Sequence, residues 1–433
     1  MAKQTMTEKI IARHAGKKRV RPGEIVWVEA DLLLTHDVCG PGTIGIFREE
    51  FGSDARVWDR QKVIIIPDHF IFTDDPQSAA NLEVLRRFAG EQQIEHFYDV
   101  GSERYAGVCH VAMAERGLGL PGQILFGTDS HTCTAGAFGL LATGVGNTDA
   151  AFVMGTGRLW VRVPSTLRIV LEGRLPPYLM AKDLILAVLA RIGVEGASYR
   201  AMEFCGSAVS GLGMPERMTL CNMAIEAGAK SGIVEVDQTC REFLAARTGA
   251  SFEEVQNDQD AVFEAEHRFS VETLLPMVAK PHSPGNAVPI SEVEGTPIDR
   301  CYIGSCTGGK TEDLLRAAEI LEGRRVVVET YVVPATTAVD AEIRALQKNG
   351  RSVYQILSDA GAKIGPPSCA ACLGGPKGTF GRLTGGEVCL STTNRNFPGR
   401  MGSAAAQVFL SSPYTAAASA LTGTITDPRK YLV

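Results

Sequence analysis

The sequence predicts an α/β protein in which helices cover both faces of largely parallel sheets. Apolar runs at 24–28, 63–66 and 124–126 are continuous, as in strands buried on both sides. A helix-like segment at 78–88 separates the last two runs, and the 46 glycines recur where runs end. That is the arrangement of alternating strands and helices whose turns carry function. A chain of 433 residues has room for two or three such units with separate cores.

Taken in order, the chain opens with a helix. Thr5 and Glu8 form a capping box, Ile10 and Ile11 supply a buried face, and Gly16 ends it. The basic N-terminus lacks the apolar core of a secretory signal, and no apolar run approaches membrane-spanning length. The first unit, 1–160, places polar residues after each apolar run. These are Thr35-His36-Asp37, Pro67-Asp68-His69 and Gly127-Thr128-Asp129-Ser130-His131-Thr132. Recurrent His/Asp groups at strand ends are the sequence signature of an α/β active site. His110 lies in an apolar stretch at 107–111 and reads either as a site imidazole or as a buried histidine bonded to a backbone carbonyl. A second unit, 161–280, carries a strand at 167–171 and helices at 180–192 and 215–227. Within it, Glu203 stands in the apolar run 202–206, a position that demands a salt-bridge partner or a site role. The stretch 281–297, rich in Pro, Gly, Ser and Glu, reads as a linker. The third unit, 298–433, closes with an alanine-rich helix near 413–421.

Cysteine chemistry concentrates in the third unit. Cys369 and Cys372 lie three apart in a loop of prolines and glycines, so two thiolates aim at one point. Cys306 occupies a second glycine-rich turn, between a strand-like run at 301–303 and a helix-like run from Thr311. Three cysteines in two rigid turns could hold three corners of an iron–sulfur cube and leave the fourth iron for a substrate oxygen. Taken alone, the C-x-x-C fits a zinc knuckle or redox dithiol equally well. A structural zinc, however, usually takes a fourth ligand at matched spacing, and Cys389 starts a different strand while no histidine follows His282. The other eight cysteines read as small buried hydrophobes. Eleven cysteines without a secretory signal predict a reducing compartment, and the expected location is the cytoplasm. A net charge of −6 with no basic stripe argues against a nucleic-acid partner.

Three glycine motifs compete for attention. The G-x-G-x-x-G strings at 40–45 and 117–122 read as turns: the second precedes a strand rather than a helix, and the first sets a proline in the turn with no evident helix start. Gly304 to Thr311 satisfies the Walker A pattern between a strand-like and a helix-like run, so a P-loop NTPase is a rival. The next apolar run, 325–334, offers Glu329 but no magnesium-holding Asp, and the rival leaves the C-x-x-C and the upstream histidines without a role. An iron–sulfur electron carrier, the non-enzymatic alternative, normally ligates its cluster with four protein groups.

Pro67-Asp68-His69, Cys109-His110, Thr128-Asp129-Ser130-His131-Thr132, Gly304-Ser305-Cys306-Thr307, Cys369-Ala370-Ala371-Cys372 and 393–400 (Thr-Asn-Arg-Asn-Phe-Pro-Gly-Arg) stand in an order that resembles the aconitase superfamily over nearly the whole chain. Within it, the chain is most similar to large subunits of the isopropylmalate dehydratase and homoaconitase branch. The resemblance implies three α/β/α domains around a central cluster-binding cleft and a hydro-lyase that isomerises a hydroxy di- or tricarboxylic acid. It implies a [4Fe-4S] cluster on Cys306, Cys369 and Cys372. By the same resemblance His69 protonates the departing hydroxyl and Asp68 orients it. Asp129 and His131 partner the oxygen on the free iron, and His110 and Glu203 bond to the same group. Arg395 and Arg400 clamp carboxylates, with Asn394 beside them near the cluster. A separate small subunit is expected to bring the swivelling domain, with its serine base and further substrate arginines. One departure concerns the turn at Cys306, where the family commonly has Asn after Gly-Ser-Cys-Thr and this chain has Gly308, followed by Lys310.

Overall fold

The computed structural model describes residues 3–432. The first helix, Met6–His14, forms as expected, with the Thr5–Glu8 capping box closed in both directions and Gly16 in the left-handed region at φ 62°. Three sheets follow from consecutive stretches of chain. The first has five strands in the order His96–Phe97, Val63–Ile65, Leu32–Thr35, Ile124–Gly127 and Leu141–Gly144, all parallel. The second sets Ser231–Val234, Ala201–Cys205, Thr166–Glu172 and Ala265–Ser270 side by side, again parallel. The third has seven strands. Gln407–Leu410, Val388–Ser391, Arg300–Ile303, Glu329–Val332 and Lys363–Ile364 are parallel, and Met277–Ala279 and Ala287–Pro289 extend that sheet antiparallel at one edge.

The first sheet shows why its strands read as unbroken apolar runs. Leu32 and Leu34, with Ile64 and Ile66, face a core shared with the second sheet, whereas Leu33, Val63 and Ile65 face a second cluster that includes Phe47 and Phe88. Alternate residues enter different cores, so no position can be polar. A third cluster fills the outer side of the last sheet, between Ile303, Leu314 and Ala417.

Three expectations need correction. The run at 24–28 is not a strand of the parallel sheet. It lies in Ile25–Glu29, which pairs antiparallel with Arg158–Arg162 in a separate ribbon where burial alternates and Trp27 and Trp160 face solvent. The strand that leads to His36 is the next segment, Leu32–Thr35. The glycine string at 40–45 is no turn, because it begins the helix Gly40–Phe51, with Pro41 at a first-turn position that needs no amide hydrogen. The stretch 281–297 is not a free linker, since Ala287–Pro289 is an edge strand of the third sheet.

Candidate active site

Parallel strands deliver their C-terminal ends to one side, and the polar loops follow from that. His36 and Asp37 leave strand Leu32–Thr35, Asp68 and His69 follow Val63–Ile65, and Asp129 and His131 follow Ile124–Gly127. From the third sheet, Cys306 follows Arg300–Ile303, and Asn394 to Arg400 follow Val388–Ser391. The two groups are stitched together by backbone: Cys369 donates its N–H to the Asp68 carbonyl at 2.8 Å, and Val108 donates to the Ala335 carbonyl at 2.8 Å.

Asp37 fixes the second loop. Its carboxylate accepts the amides of Asp68, His69 and Phe70 at 2.8, 3.0 and 2.6 Å. Asp68 is fully buried; one oxygen contacts His69 Nδ1 at 2.6 Å and the other accepts the Cys109 amide at 2.8 Å. Burial pulls the His69 pKa down, but the Asp68 carboxylate outweighs it and lifts His69 to about 10. His69 Nε2 thereby remains a proton donor. The His36 ring lies 4.4 Å from the His69 ring, and among the described residues its Nε2 has no hydrogen-bond partner. Both Nε2 atoms stand 3.8 Å from Asp129 Oδ2. The ligand atoms of His36, Asp37, Asp68 and His69 cluster within 4.8 Å of one another, yet the two carboxylates are consumed by the amides and the imidazole just named, so this group is a hydrogen-bond network rather than a cation site.

Asp129 is the hub. It accepts the His131 amide at 2.7 Å, contacts His110 Nε2 at 3.0 Å and lies 3.3 Å from His131 Nδ1. Despite burial, those histidine bonds hold its carboxyl well below the usual range, so it is ionised at any physiological pH. His131 Nε2 meets Glu226 Oε1 at 2.9 Å, and Arg395 Nε donates to both Glu226 oxygens at 2.8 and 3.0 Å. Arg395 engages Glu226 through Nε alone, which leaves its terminal nitrogens for another anion.

The cysteines form the floor. Cys306, Cys369 and Cys372 are buried, and Asn222 and Asn394 donate side-chain N–H groups to Cys306 Sγ at 3.1 and 3.3 Å. Asn394 Oδ1 lies 3.5 Å from Cys372 Sγ. Contact with the Cys369 thiol brings Cys306 down to about 5 and Cys372 to about 6, while Cys369 itself is held up by the same contacts. Two of the three thiols are held down toward the thiolate form, and amide donors on Cys306 Sγ stabilise that form, so the set fits a thiolate-ligated iron–sulfur cluster. Arg400 lies against this floor: burial lowers its affinity for the proton, the Cys372 and Cys369 sulfurs outweigh that, and among the described residues its Nε has no partner.

The Aconitase family (aconitate hydratase) profile matches residues 8–423. The chain belongs to the aconitase family. It is 52% identical to the chloroplastic 3-isopropylmalate dehydratase large subunit of Arabidopsis thaliana, over 99% of this chain and 87% of that protein. It is 47% identical to the 3-isopropylmalate dehydratase large subunit 1 of Methanopyrus kandleri, over 99% of this chain and all of that one. The probable 3-isopropylmalate dehydratase large subunit of Methanothermobacter thermautotrophicus is 46% identical over 98% of both. Membership in the aconitase family implies an iron–sulfur cluster, and the words "large subunit" imply a small-subunit partner.

In this aconitase-family chain, eleven of the twelve expected site residues lie in or against the Asp129 and cysteine network. Glu203 does not. It sits in the second sheet, on strand Ala201–Cys205, where it accepts from Asn257 at 2.7 Å and its other oxygen has no partner among the described residues. Burial pushes its carboxyl up to about 7. Glu226, twenty-three residues on, takes the place facing His131 and Arg395. Asn222 and Asp37 are further participants that the sequence did not single out, although Asp37 belonged to a flagged His/Asp group.

The Walker-like string is also resolved. Lys310 is 3% exposed; its Nζ pairs with Asp313 at 2.8 Å and donates to Thr219 Oγ1 and the Cys306 carbonyl at 2.9 and 3.0 Å. Its charge is spent inside the fold, so it cannot reach a nucleotide phosphate. Gly308 has a steric reason as well, since a Cβ there would overlap the Thr392 side chain. Thr392 Oγ1 accepts the Gly304 amide at 2.9 Å and holds that turn shut.

Proposed function

We propose that the chain is the large, cluster-bearing subunit of a 3-isopropylmalate dehydratase, a hydro-lyase of leucine biosynthesis that moves a hydroxyl between adjacent carbons by dehydration and rehydration. The observation that carries this reading is the meeting of three buried thiols with the Asp129-centred imidazoles at one end of two parallel sheets. Relatives of matching length and name support the substrate class.

Cys306, Cys369 and Cys372 would hold a [4Fe-4S] cluster, which would supply a Lewis acid toward the leaving hydroxyl. The chain's own groups do the rest. His69 keeps its Nδ1 hydrogen on Asp68, so Nε2 delivers the proton to the departing hydroxyl and recovers it on rehydration. A reacting oxygen between His69 Nε2 and Asp129 Oδ2 lies within reach of both, because each needs only a hydrogen-bond length to bridge the 3.8 Å separation. Asp129 orients His110 and His131 and stays ionised. Glu226 holds Arg395 so that its terminal nitrogens face a substrate carboxylate, and Arg400 offers a second guanidinium. One positioned acid contributes roughly 10²- to 10⁴-fold, so several of these groups must act together.

The serine base and further substrate arginines belong, on this reading, to a small subunit closing the cleft. Exposed Phe72 and Phe397, on the loops that follow His69 and Arg395, give that rim an apolar character suited to a partner. Eleven free cysteines support a reducing, cytoplasmic setting, and among the described residues no helix is long and apolar enough to cross a membrane.

The test is iron and acid-labile sulfide content, with the visible spectrum, of anaerobically purified chain beside Cys372→Ser, followed by isopropylmalate turnover with and without the small subunit. About four irons per chain, lost in the variant, is the expected result. An iron-free wild type would refute the centre, and full turnover without the second chain would refute the partner.

A further inference from the structure

Two lysines are buried beside the Cys306 turn, and they are not equivalent. Lys310 is neutralised by Asp313 at 2.8 Å. Lys182, 1% exposed at the start of helix Ala181–Ile192, has only neutral oxygens: Thr307 Oγ1 at 3.2 Å and the carbonyls of Thr392 and Thr393 at 2.9 and 2.6 Å. Among the described residues it has no carboxylate within 4.0 Å. The adjacent Asp183 points elsewhere, accepting the amides of Met180 and Met277 at 3.0 and 2.9 Å. A buried cation without a counter-charge is costly and rarely retained without a purpose.

The nearby groups able to balance it are sulfurs. Cys306 precedes Thr307, and the Thr392 and Thr393 carbonyls lead directly to Asn394, which touches both Cys306 and Cys372. Without such a counter-charge, burial, helped by Lys310, outweighs the opposing pull of Cys306, Asp313 and Cys372 and brings Lys182 down to about 7. Asp313 is already engaged by Lys310.

We propose that Lys182 is a positioning residue whose fixed positive charge is the counter-ion of the thiolate-ligated group on Cys306, Cys369 and Cys372. This rests on the cluster reading above. Three thiolates outweigh the charge of the iron–sulfide core, so the ligated group is anionic, and a cation held in a low-dielectric interior favours its more reduced state. Lys182 thereby sets the reduction potential of the centre while tying the Cys306 turn to the Asn394 loop.

The experiment compares midpoint potentials of anaerobically iron-loaded wild type, Lys182→Met, Lys182→Arg and Thr307→Val. Thr307→Val removes one hydrogen bond but leaves the charge, and Lys182→Arg keeps the charge in a different shape. The expected outcome is a potential lower by at least 59 mV in Lys182→Met, a tenfold change for a one-electron couple, with smaller shifts in the other two. An unmoved potential in iron-loaded Lys182→Met overturns the proposal, as does an equal shift in Thr307→Val. Failure of Lys182→Met to fold even without iron overturns it too, because the lysine would then be a structural clamp. A wild type that takes up no iron refutes the cluster reading itself, and the proposal falls with it.

Discussion

Replacing Glu203 by glutamine separates a catalytic carboxylate from a merely buried one. Glu203 is 2% exposed, has one hydrogen-bond donor in Asn257, and is pushed by burial from an ordinary 4.5 to about 7. Below pH 4.5 the group is protonated in folded and unfolded chains alike and makes no difference. Between pH 4.5 and 7 the unfolded chain loses the proton first, so stability falls as pH rises, and above pH 7 the full cost is present. At 1.36 kcal/mol for each tenfold change in proton affinity, that cost is about 3 kcal/mol. Glutamine keeps an oxygen for Asn257 and cannot ionise. Glu203→Gln should therefore match wild type at pH 4.5 and exceed it by about 3 kcal/mol at pH 8, roughly 6–12 °C in melting midpoint for a domain of 150–250 residues. Turnover with the small subunit should be unchanged. Thermal unfolding at the two pH values, with a parallel activity assay, decides it. An equal stability difference at both pH values would refute the burial argument, and a hundredfold loss of turnover would return Glu203 to the active site.

Three other perturbations follow from the same geometry. Asp68→Asn removes the carboxylate that outweighs burial at His69, so the alkaline limb of turnover, expected near pH 10, should move down to neutral pH or below, with at least a tenfold loss at pH 8 in a pH–rate profile. The same raised pKa gives wild type a stabilising contribution that is complete below pH 6.5 and vanishes as pH passes 10. Glu226→Gln leaves Arg395 and His131 without their buried anion. Breaking such a pair costs about 3–5 kcal/mol, so kcat/KM should fall by at least 100-fold while iron content, read from the visible spectrum, persists. Lys310→Ala should lower stability by a similar amount because Asp313 is stranded, and calorimetry should find no ATP binding in either protein.

Much of the fold was legible because burial on both faces leaves an unambiguous trace. Val63, Ile64, Ile65 and Ile66 are each completely buried, and no amphipathic alternative fits four such residues in a row. The failures came where that trace is shared by different structures. Ile25, Val26, Trp27 and Val28 look equally apolar, yet Ile25 and Trp27 are exposed on an antiparallel ribbon, because composition does not reveal which residues a strand's neighbours will cover. Gly40-Pro41-Gly42 carried the local signals of a turn, while packing of Gly40 against Leu85 and of Ile44 and Phe47 in the core made it a helix start.

At the site, legibility depended on whether a residue was placed by its own strand or by a neighbour. Asp68, His69, Asp129 and His131 follow directly from strand ends, so sequence order alone brings them together. Glu226 does not follow a strand end; it lies in the short 3-10 segment Met223–Ala227, reading as one more acid on a helix. Only the packing of that segment against Ser130–Phe138 aims its carboxylate at His131. Glu203 carried the stronger sequence signal, an acid in an apolar strand, and that signal was real: it marked a desolvated carboxylate. Desolvation alone leaves Glu203 protonated near neutral pH, whereas Glu226, equally hidden but met by His131 and Arg395, has its carboxyl held below the ordinary value despite burial. The difference between a functional and a tolerated buried acid is thus the cation opposite it, which three-dimensional packing supplies and the linear sequence does not display.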